Sequence, residues 1–280
     1  MAVIVVTDSS STLPAEITAG YGIRVVPLHI LADGRDLREG VDEIPGSVWR
    51  SAHVSTAGAS PQEMRDAFDE AVRASGGDGV VGVFISRQLS STWDAARQAA
   101  DERVGVRIVD SAAAGLGLGF AVRAAAIKAA EGASLDEVYK TAVDAAARAT
   151  SFVYVNQLDN LRRGGRIGTA AAVFGTALAI KPVLQLSGGK LAVREKTRTS
   201  SKALARLVDA AVDAASTSGD GAVCVAVQHL EAEERARGIL TQMRDRLPQV
   251  HETLIGDLGA VLGVHLGPGA LSISLFRHTE

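Results

Sequence analysis

The sequence predicts an α/β protein of two domains, the first built on a parallel sheet flanked by helices and the second on a mixed sheet with helices on one side. In the first half of the chain, continuous apolar runs alternate with helical patterns, which is typical of parallel strands covered on both faces. Beyond about residue 155 the apolar runs become shorter, and the turn Ser187-Gly188-Gly189-Lys190 between two of them indicates a hairpin. We therefore predict domains at residues 1–157 and 158–280.

The first domain is predicted to contain four strands and four helices. Its strands are Ala2–Val6, Arg24–Leu31, Val80–Ile85 and Val106–Asp110. Its helices are Pro61–Ala74, Thr92–Arg103, Ala112–Glu131 and Leu135–Ala149. Ligand sites in this architecture lie beyond the carboxyl ends of the strands, so the segments that follow the strands are the first candidates for function.

The strand Ser151–Val155 precedes the second domain, for which five more strands and three helices are predicted. The strands are Pro182–Leu186, Leu191–Arg194, Ala222–Val227, His251–Ile255 and Leu271–Phe276. The helices lie near Thr169–Ala179, Lys202–Ser216 and Glu231–Arg246.

The composition is that of a globular protein with an aliphatic core. Hydrophobic residues make up 47% of the 280 residues and charged residues 22%, whereas aromatic residues make up only 4%. The one cysteine, Cys224, lies in an apolar run and has no second cysteine with which to form a disulfide in the chain. The first apolar run is too short for a signal peptide, and no apolar segment reaches membrane-spanning length. We therefore expect a cytoplasmic protein without stable membrane insertion.

The charge is unevenly distributed along the chain. The formal net charge of −3 argues against general nucleic-acid binding, yet residues 162–202 carry nine basic side chains against one acid, Glu195. The basic residues are Arg162, Arg163, Arg166, Lys181, Lys190, Arg194, Lys196, Arg198 and Lys202. Such a segment is either a solvated face or a docking surface for an acidic partner or a phosphate-bearing ligand.

Several common site motifs are missing. Gly115-Leu116-Gly117-Leu118-Gly119 follows a strand and opens a helix, but Phe120 stands where the dinucleotide-binding fingerprint has its third glycine. The chain has no phosphate-binding loop ending in Gly-Lys-Ser or Gly-Lys-Thr, and His251-Glu252 lacks the second histidine of a zinc-binding helix. We expect neither a cofactor nor a metal.

Hydroxyl side chains recur where strands end and helices begin. They occur at Thr7–Thr12, at Ser55-Thr56 and at Ser90-Ser91-Thr92. Some of them are helix caps, as Ser60 with Pro61 and Glu63 indicates. The surplus provides neutral donors beside helix N-termini, which favour an anion.

His265 precedes the turn Gly267-Pro268-Gly269, with apolar runs before and after it. The glycines and the proline predict a sharp, rigid chain reversal between two strands, which would present the imidazole. The alternative is a core or turn histidine bonded to a backbone carbonyl.

Six motifs give the chain a specific resemblance along essentially its whole length. They are Thr7-Asp8-Ser9-Ser10, the loop from Thr56 to Pro61, Leu89-Ser90-Ser91-Thr92-Trp93, Val109-Asp110-Ser111, Leu158-Asp159-Asn160-Leu161-Arg162-Arg163-Gly164-Gly165-Arg166-Ile167 and His265-Leu266-Gly267-Pro268-Gly269-Ala270. In this order they resemble the DegV family of bacterial fatty-acid-binding proteins. Gly-Gly-Arg-Ile and His-x-Gly-Pro-Gly-Ala are the most specific of them.

The resemblance implies a carrier rather than an enzyme. Proteins of this family hold one long-chain fatty acid in an apolar tunnel, between or within two α/β domains, and present its carboxylate to a separate fatty acid kinase that makes acyl-phosphate. By position, Thr56, Ser90 and His265 look like the carboxylate contacts, and Arg198 looks like a supporting basic residue. Arg166 looks like part of the kinase-docking surface, and the adjacent Arg162 and Arg163 extend it.

The chain departs from the family pattern beside the expected carboxylate. Thr56-Ala57-Gly58-Ala59-Ser60 stands where the family usually has Thr-Ser-Gln-Pro-Ser, and Ser91 replaces a usual glycine. These differences bear on the shape of the loop and on ligand preference.

Two other functions stay open at this level. Ser90, His265 and Asp110 offer the residue types of a serine hydrolase, whose members are recognised by geometry rather than by order in the chain. No Gly-x-Ser-x-Gly elbow surrounds Ser90, which favours the carrier. A sugar-phosphate or nucleotide binder that uses the basic segment is a weaker alternative, since no phosphate-loop pattern accompanies it.

Overall fold

A computed structural model describes residues 2–51, 53–167, 180–217 and 221–277. The chain divides into two compact units: unit 1 comprises Met1–Ile44 and Thr56–Arg148, and unit 2 comprises Pro45–Ser55 and Ala149–Glu280. The division therefore falls at residues 148 and 149 rather than at 157 and 158, because the strand at 150–154 is paired within the sheet of unit 2. The sequence gives no signal that residues 45–55 belong with the second half.

Unit 1 is built from seven strands and five helices in its described part. The strands are β1 (Ile4–Asp8), β2 (Arg24–Val26), β3 (His29–Ala32), β4 (Arg35–Arg38), β5 (Ser55–Ala57, which begins one residue before unit 1), β6 (Val80–Phe84) and β7 (Val106–Asp110). The helices are α1 (Ala15–Gly20), α2 (Pro61–Ser75), α3 (Thr92–Asp101), α4 (Leu116–Ala130) and α5 (Leu135–Arg148).

The main sheet of unit 1 is parallel, with strand order β2-β1-β6-β7, as predicted. Helices α2 and α3 pack together against it, as do α4 and α5. All five residues of β6 are buried, which explains its continuous apolar sequence. Because β1 lies between β2 and β6, the carboxyl ends of β1 and β6 form the switch point at which ligand sites are found in such sheets.

The predicted single strand Arg24–Leu31 is wrong. It is two strands that lie in different sheets, since β2 pairs with β1 and β3 lies between β4 and β5 in a separate three-stranded sheet. Pro27 separates them, because it has no N–H to donate to a sheet ladder.

Unit 2 contains a six-stranded mixed sheet in the order β10-β9-β8-β13-β11-β12. The strands are β8 (Thr150–Tyr154), β9 (Lys181–Ser187), β10 (Lys190–Thr197), β11 (Val223–His229), β12 (Val250–Asp257) and β13 (Leu271–Arg277). Its described helices are α6 (Asp159–Arg163), α7 (Ser200–Thr217), α8 (Glu233–Arg246) and α9 (Ala260–Leu266). The predicted hairpin between β9 and β10 is confirmed.

Two layers cover the sheet of unit 2. Helices α7 and α8 pack with one set of strand residues into a large aliphatic core. A second apolar cluster joins strand residues to α6, α9 and Trp49. The predicted helix Thr169–Ala179 lies outside the described residues.

The predicted strand before His265 is wrong, because Ala260–Leu266 forms the short helix α9. Glycines with positive φ delimit it, Gly259 at 77° and Gly267 at 78°. Ala260, Val261 and Val264 are buried, and their spacing places them on one face of the helix. An apolar run as short as this one does not distinguish a helix from a strand by its sequence. None of the helices in the described ranges combines the length and the apolarity that crossing a bilayer requires.

Candidate functional site

The carboxylate of Asp8 lies at the carboxyl end of the parallel sheet in unit 1. Asp8 is fully buried at the end of β1. Its Oδ2 accepts the backbone N–H of Ile85 at 2.8 Å, and its Oδ1 accepts the N–H and the hydroxyl of Ser10 at 3.0 and 2.5 Å. Burial raises the pKa of Asp8 to about 6, although these donors oppose the shift. Asp8 thus links the end of β1 to the end of β6, and both oxygens of its carboxylate accept hydrogen bonds from the protein.

The loop from Thr56 to Ser60 lies against the start of α3. Gly58 approaches it so closely that a Cβ at this position would stand 2.7 Å from the hydroxyl oxygen of Thr92. Thr92 is fully buried, and its Oγ1 lies 2.8 Å from Oγ of Ser90. The structure therefore brings the segments of Thr56 and Ser90 together through Thr92, and both residues are half-buried. A glutamine at position 58, as in the usual family pattern, would not fit this loop conformation.

His265 lies in the last turn of α9, and its ring packs against Gly164 in the turn that follows α6. A Cβ on Gly164 would lie 2.2 Å from Nδ1 of His265 and 2.8 Å from its Cε1. Nδ2 of Asn160 donates to the carbonyl of Val264 at 3.1 Å, which holds α6 and α9 together. The two most specific motifs of the sequence are therefore one structural assembly, in which Gly164 makes room for the imidazole.

Arg166 stands beside this histidine. Its Nη1 donates to the carbonyl of Gly164 at 2.6 Å. Burial, and to a smaller extent the charge of Arg166, lower the pKa of His265 to about 4, so the ring is neutral at pH 7. A neutral imidazole keeps one N–H and can donate one hydrogen bond to an anion. The family resemblance assigns His265 to the carboxylate and Arg166 to the kinase-docking surface, whereas the structure places the two residues next to each other.

The other predicted basic residues lie at the surface of unit 2. Arg162 is exposed and pairs with Asp159 at 3.8 Å, and Arg163 donates to Asn160 at 3.1 Å and to the carbonyl of Ser51 at 3.3 Å. Arg198 is exposed in the turn between β10 and α7.

The hydrolase candidates in unit 1 have other partners. The hydroxyl of Ser90 bonds to Thr92, and Oδ1 of Asp110 accepts the backbone N–H of Ala112 at 2.9 Å and that of Arg87 at 3.3 Å. In a triad the acid orients a histidine ring, whereas here Asp110 shapes a turn. Across the described parts of the chain, no group of three or more His, Cys, Asp or Glu side chains is arranged to hold a metal ion.

Three residues of this arrangement are missing from the sequence-based assignment. Thr92 is predicted only as one of the hydroxyl residues beside a helix start, and no role is predicted for Asn160 or Gly164. Their roles depend on contacts with residues far along the chain or across a turn, which no local periodicity reveals. The occurrence of Gly164 and Asn160 within the Asn-Leu-Arg-Arg-Gly-Gly-Arg-Ile motif was the one available signal.

Comparison with known proteins identifies the family of the chain. The model of the DegV family matches residues 2–278. This chain belongs to the DegV family. A DegV domain-containing protein of Mycobacterium tuberculosis is 44% identical over 274 residues, which cover 98% of this chain and 96% of that protein.

Solved DegV structures share the fold over the whole chain. The DegV family protein Cg2579 from Corynebacterium glutamicum has a TM-score of 0.87 at 35% identity, covering 100% of this chain and 99% of that one. A DegV family protein from Thermus thermophilus, whose structure is one of fatty acid binding, has a TM-score of 0.92 at 31% identity, covering 99% of this chain and 100% of that one. The predicted DegV resemblance and the predicted two-part α/β fold are confirmed.

Proposed function

We propose that this protein binds a long-chain fatty acid, with Thr56, Ser90 and His265 donating hydrogen bonds to its carboxylate and Arg198 supporting them. The observation that carries the proposal is the fatty acid binding of the DegV protein from Thermus thermophilus, which matches 99% of this chain at a TM-score of 0.92. The residues are those that the family pattern assigns, and in unit 1 the segments of Thr56 and Ser90 meet through Thr92.

The head group decides whether such binding is tight. An acyl chain of about 14 to 16 methylenes gains roughly 11 to 13 kcal/mol at about 0.8 kcal/mol for each buried methylene. Association costs on the order of 4 to 15 kcal/mol, so at the upper end of this range the acyl chain alone does no more than offset the cost. Charge-assisted hydrogen bonds contribute roughly 1.5 to 3 kcal/mol each, so two or three donors to the carboxylate supply the net affinity.

Mass spectrometry of the purified protein tests the proposal directly. We expect a long-chain fatty acid in the denatured extract at a near-stoichiometric amount, and a higher melting temperature when oleic acid is added to delipidated protein. An extract without lipid, together with no thermal shift for any long-chain fatty acid, would refute the carrier function.

Ser90→Ala and Thr56→Ala are each expected to weaken fatty-acid binding by about 1 to 3 kcal/mol, roughly 5- to 150-fold, because each leaves the carboxylate one donor short. Titration of oleic acid against the delipidated variants measures the loss. Ser91→Ala is the matched control, since Ser91 is exposed and its side chain makes no capping bond at α3. Wild-type affinity in both variants would show that the head group lies elsewhere.

We propose further that the bound carboxylate is presented to a separate fatty acid kinase, and that Arg162, Arg163 and Arg166 belong to the docking surface for this partner. Exposed basic side chains around α6 support this, because a partner that carries acidic groups is steered by such a patch. Arg166 contacts the residues beside His265, so its substitution would alter binding and docking at once. Arg162 is the better residue to test.

Arg162→Glu is expected to leave oleic acid affinity within about twofold of wild type while it slows kinase-dependent acyl-phosphate formation about tenfold at low ionic strength. Added salt should reduce the difference, because rim charges act mainly on the encounter rate. Lys190→Glu, a charge reversal at the β9–β10 hairpin, is the control. A loss of oleic acid binding with normal kinase turnover would place Arg162 in the ligand site instead.

A further inference from the structure

His29 in unit 1 contacts a carboxylate through each of its ring nitrogens. Nδ1 lies 2.7 Å from Oδ1 of Asp36, and Nε2 lies 3.1 Å from both Oε1 and Oε2 of Glu63. Carboxylates accept hydrogen bonds, so both ring nitrogens donate only when the imidazole carries two protons. The side chain of His29 is 12% exposed, whereas its partners Asp36 and Glu63 are 58% and 30% exposed.

The charged groups around His29 favour this doubly protonated form. Burial lowers the pKa of His29, but Asp36 and Glu63 outweigh it and raise the pKa above 6.5. Asp36 comes from β4 and Glu63 from the first turn of α2. Arg38 lies opposite His29 on β4, pairs with Asp42 at 3.2 Å and also interacts electrostatically with Asp36 and Glu63, while Arg35 interacts with Asp42.

Glu63 connects His29 to the loop that carries Thr56. Its Oε2, which faces His29, also accepts the backbone N–H of Ser60 at 2.8 Å, while the hydroxyl of Ser60 accepts the N–H of Glu63 at 3.2 Å. This capping box fixes the end of the loop where α2 begins. The start of the loop is fixed as well, because β5 is hydrogen-bonded to β3, the strand of His29. Both ends of the Thr56–Ser60 loop are thus anchored to β3.

We propose that His29 is a positioning residue for the Thr56–Ser60 loop, which it holds through Glu63, and that its deprotonation weakens the contact of Thr56 with the fatty-acid carboxylate. This inference rests on the proposed function. Neutral His29 has one N–H and can satisfy one carboxylate only, so either Asp36 or Glu63 then faces a ring nitrogen lone pair. The anchor is complete below pH 6.5 and is lost as the pH rises through the higher pKa of the folded protein.

The test is the pH dependence of oleic acid affinity between pH 6.5 and 9, measured on the delipidated full-length protein. We expect the wild-type affinity to fall about three- to tenfold over this range. His29→Gln should bind oleic acid at pH 6.5 as weakly as the wild type does at pH 9. Its affinity should therefore lack the three- to tenfold fall with pH that the wild type shows. His251→Gln, which removes an exposed histidine on β12, is the matched control and should keep the wild-type profile. Ionisation of the fatty acid itself affects all three proteins equally.

A second readout separates this inference from the proposed function. In the ligand-free protein, the amide resonances of Gly58 and Ser60 are expected to move with a titration above pH 6.5 in the wild type and to stay still in His29→Gln. Glu63→Gln keeps an oxygen for the cap and serves as the second variant if His29→Gln does not fold; it should also abolish the titration. If the wild type does not bind oleic acid but its Gly58 and Ser60 resonances still move with pH, only the carrier function is refuted. Three results would overturn the positioning role. His29→Gln could show the wild-type dependence of oleic acid affinity on pH, or could lose affinity by the same factor at every pH. The amide resonances of Gly58 and Ser60 in the wild type could also show no change with pH.

Discussion

Replacing Gly164 with alanine is expected to weaken fatty-acid binding by about tenfold or more and to lower the free energy of unfolding by about 1 to 3 kcal/mol. The new methyl group would stand 2.2 Å from Nδ1 of His265, so the ring must move. Gly164 has φ of −73°, which alanine adopts freely, so the effect is one of space and not of backbone strain. Oleic acid titration and urea denaturation measure the two losses.

A double-mutant cycle tests the cause of this loss. His265→Ala removes the two closest atoms that the methyl group meets and leaves the carbonyl oxygen of Asn160 at 3.3 Å. Gly164→Ala should therefore cost much less stability in the His265→Ala background, whereas binding stays weak. Gly238→Ala is the control, because nothing lies within 4 Å of a Cβ at that helical position. It should leave binding unchanged and stabilise α8 slightly. Equal costs of Gly164→Ala in both backgrounds would show that its methyl group does not act through His265.

Replacing Asp8 with alanine is expected to lower the free energy of unfolding by about 3 kcal/mol or more at pH 7. The change leaves the buried N–H groups of Ile85 and Ser10 without an acceptor, and each unmet buried donor costs about 1 to 3 kcal/mol. Asp8→Asn keeps one acceptor oxygen and the side-chain shape and should cost less. Urea denaturation of the three proteins gives the comparison, and an alanine variant as stable as the wild type would contradict the bridging role of Asp8.

Asp8 also gives the stability a pH dependence of definite sign. Its pKa rises from the ordinary 3.8 to about 6 on folding, so between these values the folded protein holds a proton that the unfolded chain has released. Stability from this group is complete below pH 3.8 and falls by about 3 kcal/mol as the pH rises to above 6. The free energy of unfolding of the wild type should therefore fall relative to that of Asp8→Asn as the pH rises from 4.5 to 7.5. A constant difference would mean that Asp8 ionises normally.

Much of the fold could be predicted from the sequence because the responsible signals are local. The buried strands of unit 1 are continuous apolar runs, and Ser187-Gly188-Gly189-Lys190 forms the expected hairpin. The errors occur where one local pattern fits two structures. Pro27 interrupts an apolar run that otherwise fits one strand, and the apolar residues of α9 fit a strand as well as a short helix.

The site could be predicted only in part, for a related reason. The hydroxyl residues Ser55-Thr56 and Ser90-Ser91-Thr92 indicated hydrogen-bond donors beside helix N-termini, and Thr92 links these two segments in the structure. The sequence did not show that Thr56 lies in β5, in the separate three-stranded sheet. The contact between Gly164 and His265 joins segments about a hundred residues apart, and no local pattern encodes it. The contacts of His29 are equally nonlocal, because Glu63 follows it by 34 residues. Family resemblance identifies such residues but does not reveal what they touch.

The assignment of residues 45–55 to unit 2 has a consequence during synthesis of the protein. Trp49 packs in the second apolar cluster of unit 2, and its Nε1 donates to Glu231, 182 residues further along the chain. A ribosome that adds about 5 to 20 residues per second needs roughly 10 to 35 s to deliver that partner. Throughout this interval the indole of Trp49 lacks this partner, whereas every residue of unit 1 has been made once synthesis reaches Arg148. The 45–55 segment therefore acquires its native contacts later than the unit 1 segments on either side of it.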